Sequence, residues 1–147
     1  MKKRPSLKEI ASLWVPPAAY ASLLFWLSSR PIPDFVPQFT YSDKILHTSA
    51  YAVLGALVAR ALIWSKWLKA WVSATGDGLW RASGWMGGFY GLTDEIHQSF
   101  VPGRTSSLYD AIADTLGAFA GAYLVWLVSR RLGESGRATR EEAARGR

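Results

Sequence analysis

Four stretches of this chain, residues 10–29, 45–64, 79–100 and 108–129, are predominantly apolar and similar in length. About 20 residues at 1.5 Å each span the roughly 30 Å hydrocarbon core of a bilayer as a helix. The first stretch carries no charge, and the second carries only Arg60, near its end. The pattern predicts an all-α fold, an integral membrane four-helix bundle. A chain of 147 residues organised this way leaves little room for a second domain. We expect a basic flank over 1–9, the transmembrane domain over 10–129, and a basic, disordered cytoplasmic tail over 130–147.

The N-terminus imitates a secretion signal, with Lys2, Lys3 and Arg4 before an apolar run and then Ala19-Tyr20-Ala21. The apolar run continues past that point through Leu23-Leu24-Phe25-Trp26-Leu27, and Pro16-Pro17 interrupts it. A cleaved signal has a short uninterrupted apolar region ending at the cleavage site, so an uncleaved first helix is expected. The chain has no Cys, which excludes disulfides and thiolate metal sites.

Basic residues set orientation. Lys2, Lys3, Arg4 and Lys8 precede the first helix. Arg60, Lys66, Lys69 and Arg81 surround the second connection, and six arginines follow Ser129. The other two connections hold only Arg30, Lys44 and Arg104. The alternation predicts both termini in the cytoplasm. It also predicts an inner aromatic belt of Trp64, Trp67, Trp71 and Trp80, and an outer one including Trp26, Phe39, Tyr41, Phe100 and Tyr109. The net charge of +6 then reflects flanks attracted to anionic lipid. It does not indicate a nucleic-acid partner, since the aromatics sit in the spans and at their borders.

Against this lipid-like background, polar residues gather at the expected outer end. Asp43, His47 and Tyr51 recur every four residues and share one helix face. Thr93, Asp94, Glu95, His97 and Gln98 crowd the end of the third helix, where Gln98 can reach either carboxylate. Asp110 and Asp114 are four apart, on a face continued by Gly117 and Gly121. A carboxylate at bilayer depth costs roughly 2.5–3.5 kcal/mol, so such residues must be paired, hydrated or used. Gly84/Gly88, Gly87/Gly91 and Gly117/Gly121 have the small-xxx-small spacing that brings helices together in lipid. Pro102-Gly103 ends the third helix, Ser106 or Ser107 caps the fourth, and Arg104 overhangs the mouth. His97 receives no role. Arg30 and Asp34 lie in a Pro-rich outer loop that is either a lid or a stiff connection.

Two readings of this constellation stay open. Arg104 and Lys44 can neutralise the acids internally, with His47 and Gln98 satisfying the rest. Alternatively, Asp43, Asp94, Glu95, Asp110 and Asp114 outnumber the two cations by three, a surplus that invites a cation, a proton or a cationic ligand group. The ligand-binding set is Asp43, Lys44, Tyr51, Asp94, Gln98, Arg104, Asp110 and Asp114. His47 and Glu95 are the candidates for catalysis, and Asp94, Glu95 and Asp110 for holding a divalent cation through oxygen.

Asp43-Lys44-Ile45-Leu46-His47, with Tyr51 and Leu54, resembles the first motif of the VanZ-like membrane proteins. Asp94-Glu95-Ile96-His97-Gln98-Ser99-Phe100, then Pro102-Gly103-Arg104, Asp110, Gly117 and Gly121, resembles the second. The similarity spans roughly residues 20–128 in order. Asp114 departs from it, since Asn is expected there, and the extra carboxylate deepens the negative surplus. The resemblance implies a small multi-pass protein of the bacterial cytoplasmic membrane, in a family whose founding member is associated with low-level resistance to teicoplanin. Some members are labelled phosphotransbutyrylases, yet no glycine-rich phosphate loop follows a strand in this chain.

Three functions follow as expectations. The first is an envelope protein whose outward polar site binds a lipid-linked cell-wall precursor or a glycopeptide, with membrane lipid as its surroundings. The second is an interfacial enzyme acting on a lipid phosphate or pyrophosphate, with Arg104 clamping phosphate and His47 moving a proton. The third is a proton- or cation-coupled transporter relaying through Glu95 or Asp114, which would require oligomerisation.

Overall fold

The computed structural model describes residues 5–31, 42–65 and 78–145, and among these every long element is helical. Helix α1 covers Leu7–Ser28, α2 Ser42–Trp64, α3 Gly78–Gln98 and α4 Leu108–Arg145. The expected four-helix bundle is therefore present. Trp67, Trp71, Phe39, Tyr41, Lys66, Lys69 and Asp34, assigned above to belts and connections, lie outside the described residues. So do Lys2, Lys3 and Arg4, and the side chains of Asp43, Arg137 and Arg140.

Local sequence sets the ends of the helices. Ser6 and Glu9 form a reciprocal capping box at the start of α1. The helix continues through Pro16 and Pro17. The α3–α4 turn uses Gly103 at φ 80°, a left-handed conformation that glycine adopts without a side-chain clash. Of the two serines proposed to cap α4, Ser107 does so, its hydroxyl accepting from the Tyr109 amide at 3.2 Å.

Helix α4 is the spine of the bundle, lying against both α2 and α3, while α1 docks mainly on α2. A side-chain carbon added at Gly117 or Gly121 would overlap the Thr48 or Ala52 carbonyl of α2. Gly55 of α2 reciprocates against the Ala118 carbonyl of α4. The α3 glycines at 84, 87, 88 and 91 likewise face Phe119, Ala118, Thr115 and Asp114. Backbones this close exchange van der Waals contact over their length, which is how helices associate where lipid supplies no hydrophobic drive.

The bundle is apolar outside, and its interior combines an apolar core of Leu24, Tyr51, Leu54, Val58, Leu62 and Leu79 with buried polar groups. On α3, Ser83, Asp94, Glu95, Gln98 and four glycines are buried, while Trp85, Met86, Phe89, Leu92 and Ile96 are exposed. Exposed large apolar side chains also cover the other helices. A water-soluble protein rarely shows so extensive an apolar surface. Leu7–Ser28, Lys44–Trp64 and Leu108–Gly136 are long and apolar enough to cross a membrane. Helix α3 is long enough, but its buried charges and glycines lower its average, although its outer face matches that of its neighbours.

The tail expected to be disordered differs. Helix α4 continues without a break to Arg145, well past its apolar part. Arg, Glu and Ala dominate that stretch and are good helix formers. Arg130 and Glu134 pair one turn apart at 3.7 Å. Nothing lies within 4 Å of a side-chain carbon at Gly133 or Gly136, so this part of the helix stands clear of the bundle there.

The contrast between glycines yields a test on one helix. Gly117→Ala should destabilise the bundle by about 1–3 kcal/mol, because backbone must move aside. Gly133→Ala should leave stability unchanged or raise it by up to about 1 kcal/mol through helix propensity. Thermal denaturation of the two variants in the same detergent checks both.

Candidate functional site

The polar residues of all four helices meet at one end of the bundle, where α1 and α3 finish and α2 and α4 begin. They form two adjoining clusters that share helix α3. Asp94 and Glu95 are neighbours in sequence but serve different clusters, because successive positions on a helix point about 100° apart.

Asp94 anchors the first cluster. Its Oδ1 accepts from the Ser28 hydroxyl of α1 at 2.6 Å. Its Oδ2 accepts from the Tyr51 hydroxyl of α2 at 3.2 Å and from Gln98 Nε2 at 3.0 Å. All four side chains are buried, so one carboxylate joins three helices. Two further contacts fix α1 against α3. Tyr90 donates to the Ala21 carbonyl at 2.6 Å, and His97 Nε2 lies 2.9 Å from Ser29 Oγ while its ring stacks on Phe25. His97, given no role from sequence, is thus a docking residue for α1.

The second cluster joins α2, α3 and α4. Lys44 pairs with Asp110. One turn deeper, His47 Nδ1 lies 2.9 Å from Asp114 Oδ1. Glu95 approaches from α3, its Oε2 accepting from the Ser107 amide at 2.7 Å and so securing the turn before α4. Lys44, His47 and Tyr51, at i, i+3 and i+7, share the inner face of α2. Asp114 is fully enclosed and Glu95 is 4 % exposed, yet Asp114 Oδ2 and Glu95 Oε1 accept no hydrogen bond. Gly91 leaves room here, since a side-chain carbon there would sit 2.7 Å from Asp114 Cβ.

The sequence-derived cation set of Asp94, Glu95 and Asp110 is not the group the fold assembles. Asp94 is occupied by three neutral donors, and Asp110 is neutralised by Lys44. The structure instead brings one potential ligand atom from each of His47, Glu95 and Asp114 within 4.8 Å of the others.

Arg104 sits in the turn above, half-buried. It donates to the Leu27 carbonyl at 3.0 Å, and its buried Nε has no partner. Among the described residues it forms no ion pair with any carboxylate. Asp94 and Asp110, two of the acids expected to neutralise it, have other partners. Ser28, the Ser107 amide and Gly91 belong to these clusters and were not singled out as such by sequence. Ser28 looks like any hydroxyl at the end of an apolar helix, and an amide has no side-chain signal.

The two clusters differ in what substitution should do. Asp94→Ala strands three buried donors, each worth about 1–3 kcal/mol when left unsatisfied. It should therefore lower the thermal midpoint in detergent far more than Tyr51→Phe, which removes one bond worth about 1 kcal/mol. Equal midpoints for the two variants would show that Asp94 does not hold the helices together.

A family model described as VanZ/LLP1 matches residues 4–129, from the basic N-terminal flank to the end of the apolar part of α4. No curated protein and no solved structure matches the chain. The match takes in every residue of both polar clusters, helices α1 to α3 and α4 as far as residue 129, and the chain belongs to the VanZ/LLP1 family.

Proposed function

We propose that this VanZ-like envelope protein lies in the bacterial cytoplasmic membrane, crosses it four times with both termini in the cytoplasm, and binds the anionic head group of a lipid-linked cell-wall precursor at its outer end. The distribution of basic residues supports the orientation, because they concentrate at the N-terminus, around the α2–α3 connection and after Ser129. The apolar outer face of α3 supports the fourth crossing, since its carboxylates and the glycines at 84, 87, 88 and 91 turn inward.

The observation that carries the ligand reading is Arg104. A guanidinium at the mouth of an acid-rich bundle, with no carboxylate partner among the described residues, has donors left for an incoming anion. Its planar fork suits phosphate oxygens and carboxylates alike. The turn that bears it is fixed from below by Glu95 through the Ser107 amide, so the donor group is pre-positioned. The lipid tail of such a ligand would lie along the apolar exterior. Occupying the head group would alter the access of a glycopeptide to the precursor, linking this chain to teicoplanin-type resistance.

Arg104→Ala should weaken binding of a polyprenyl pyrophosphate to the purified protein about tenfold or more, with Arg104→Lys intermediate. Native mass spectrometry in detergent, with phosphatidylcholine as the competing lipid, measures this, and wild-type affinity in Arg104→Ala would refute the reading. Topology has its own test, because a chain without Cys gives no labelling background. In intact cells an impermeant maleimide should label Ser106→Cys, while Gly136→Cys should react only after permeabilisation. The reverse pattern would put the polar mouth in the cytoplasm.

A further inference from the structure

We infer that His47, Glu95 and Asp114 form a binding site for a divalent transition-metal ion, held between α2, α3 and α4. Three observations carry this, none of which depends on the head-group reading above.

Geometry is the first. The three ligand atoms lie within 4.8 Å of one another, and His47 Nδ1 is 2.9 Å from Asp114 Oδ1. Metal–ligand bonds of about 2.0–2.2 Å place atoms of one coordination shell about 3–4 Å apart. The His47–Asp114 pair is already about that close, and a side-chain shift of about 1 Å at most brings the third atom into one shell around a single ion. A group contributed by three helices is also held in place by their packing, with Gly91 leaving the space beside Asp114.

The second is the pair of unused oxygens. Glu95 is 4 % exposed and Asp114 fully enclosed, yet Glu95 Oε1 and Asp114 Oδ2 meet no donor. Buried polar atoms are nearly always paired, so two unpaired acceptors on adjacent carboxylates mark a missing electrophile. The neighbouring carboxylates show the contrast, since Asp94 accepts three hydrogen bonds and Asp110 has Lys44.

Charge is the third. Glu95 and Asp114 bring two negative charges into the bundle, and a protonated His47 would offset only one. Burying the uncompensated remainder costs several kcal/mol. A dication neutralises both carboxylates and leaves the imidazole neutral, the form in which it ligates. Mixed imidazole and carboxylate donors favour Zn²⁺ or Mn²⁺ over Mg²⁺ and Ca²⁺, which prefer oxygen alone. Three protein ligands leave a position for water or an anion. The His47 side chain, 18 % exposed, keeps the site from being sealed.

The test uses the full-length protein purified in detergent without a polyhistidine tag, stripped with a chelator and re-exposed to Zn²⁺, Mn²⁺ or Mg²⁺. Wild-type protein should retain about one Zn²⁺ or Mn²⁺ per chain by elemental mass spectrometry, and these ions, not Mg²⁺, should raise its thermal midpoint. His47→Gln, Glu95→Gln and Asp114→Asn should each weaken uptake about tenfold or more. His97→Gln, which changes the only other histidine, should bind as wild type. X-ray absorption of the zinc-loaded wild type should show one imidazole in a nitrogen and oxygen shell, a readout that needs no variant to fold. Failure of the folded wild type to take up metal would overturn the proposal. So would preference for Mg²⁺, two imidazoles in the shell, or undiminished uptake in the trio variants.

Discussion

The close approach of α4 to α2 governs the rest of this structure. Gly117 and Gly121 admit the Thr48 and Ala52 carbonyls of α2, and Gly55 admits that of Ala118 in return. These contacts sit along α4 from Asp110 and Asp114, at the alternating four- and three-residue steps that keep one face in line. Fixing the two backbones therefore also fixes Lys44 against Asp110 and His47 against Asp114. Bulkier residues at the glycines would separate the helices and admit lipid between charges that only a partner makes tolerable. In this fold, packing of the smallest side chains makes the burial of the most polar ones feasible.

The adjacent carboxylates of α3 show how environment divides labour between like groups. Asp94 has neutral donors from α1, α2 and its own helix, an arrangement that satisfies a charge and leaves it nothing further to bind. Glu95 has one oxygen on the Ser107 amide and the other open beside Asp114. The first residue closes the bundle, and the second belongs to a polar interior with unused capacity. Neighbours in sequence thus have separate physical roles, assigned by a rotation of about 100° around the helix axis.

Much of this was legible beforehand. The four apolar blocks gave the bundle, and the alignment of Asp110 and Asp114 with Gly117 and Gly121 correctly turned those acids inward. The motif at 94–104 located the polar end, and Gln98 does bridge to a carboxylate. Partner choice was less accessible. Sequence could not decide which of Asp94, Glu95 or Asp114 joins His47, because that depends on the rotation of α3 relative to α4. Nor could it reveal that a serine at the end of α1 and a loop amide complete the hydrogen bonding. Helix α3 shows a related difficulty, since an average over residues cannot separate an apolar exterior from a polar interior. The helical continuation after Ser129 was missed for a different reason. A run of Arg, Glu, Ala and Gly fits both a solvated coil and an extended helix, and composition alone does not choose between them.

That continuation has an electrostatic consequence. At 1.5 Å per residue, Arg145 stands roughly 22 Å beyond Arg130 along the helix axis. Screening at physiological salt acts over about 8 Å, so charges at the two ends of so long a continuous helix do not act on the same neighbour. Arg130, at the base, already has Glu134 and the Trp126 ring as neighbours, whereas Arg145 lies exposed at the far end, its charge left for whatever meets it there.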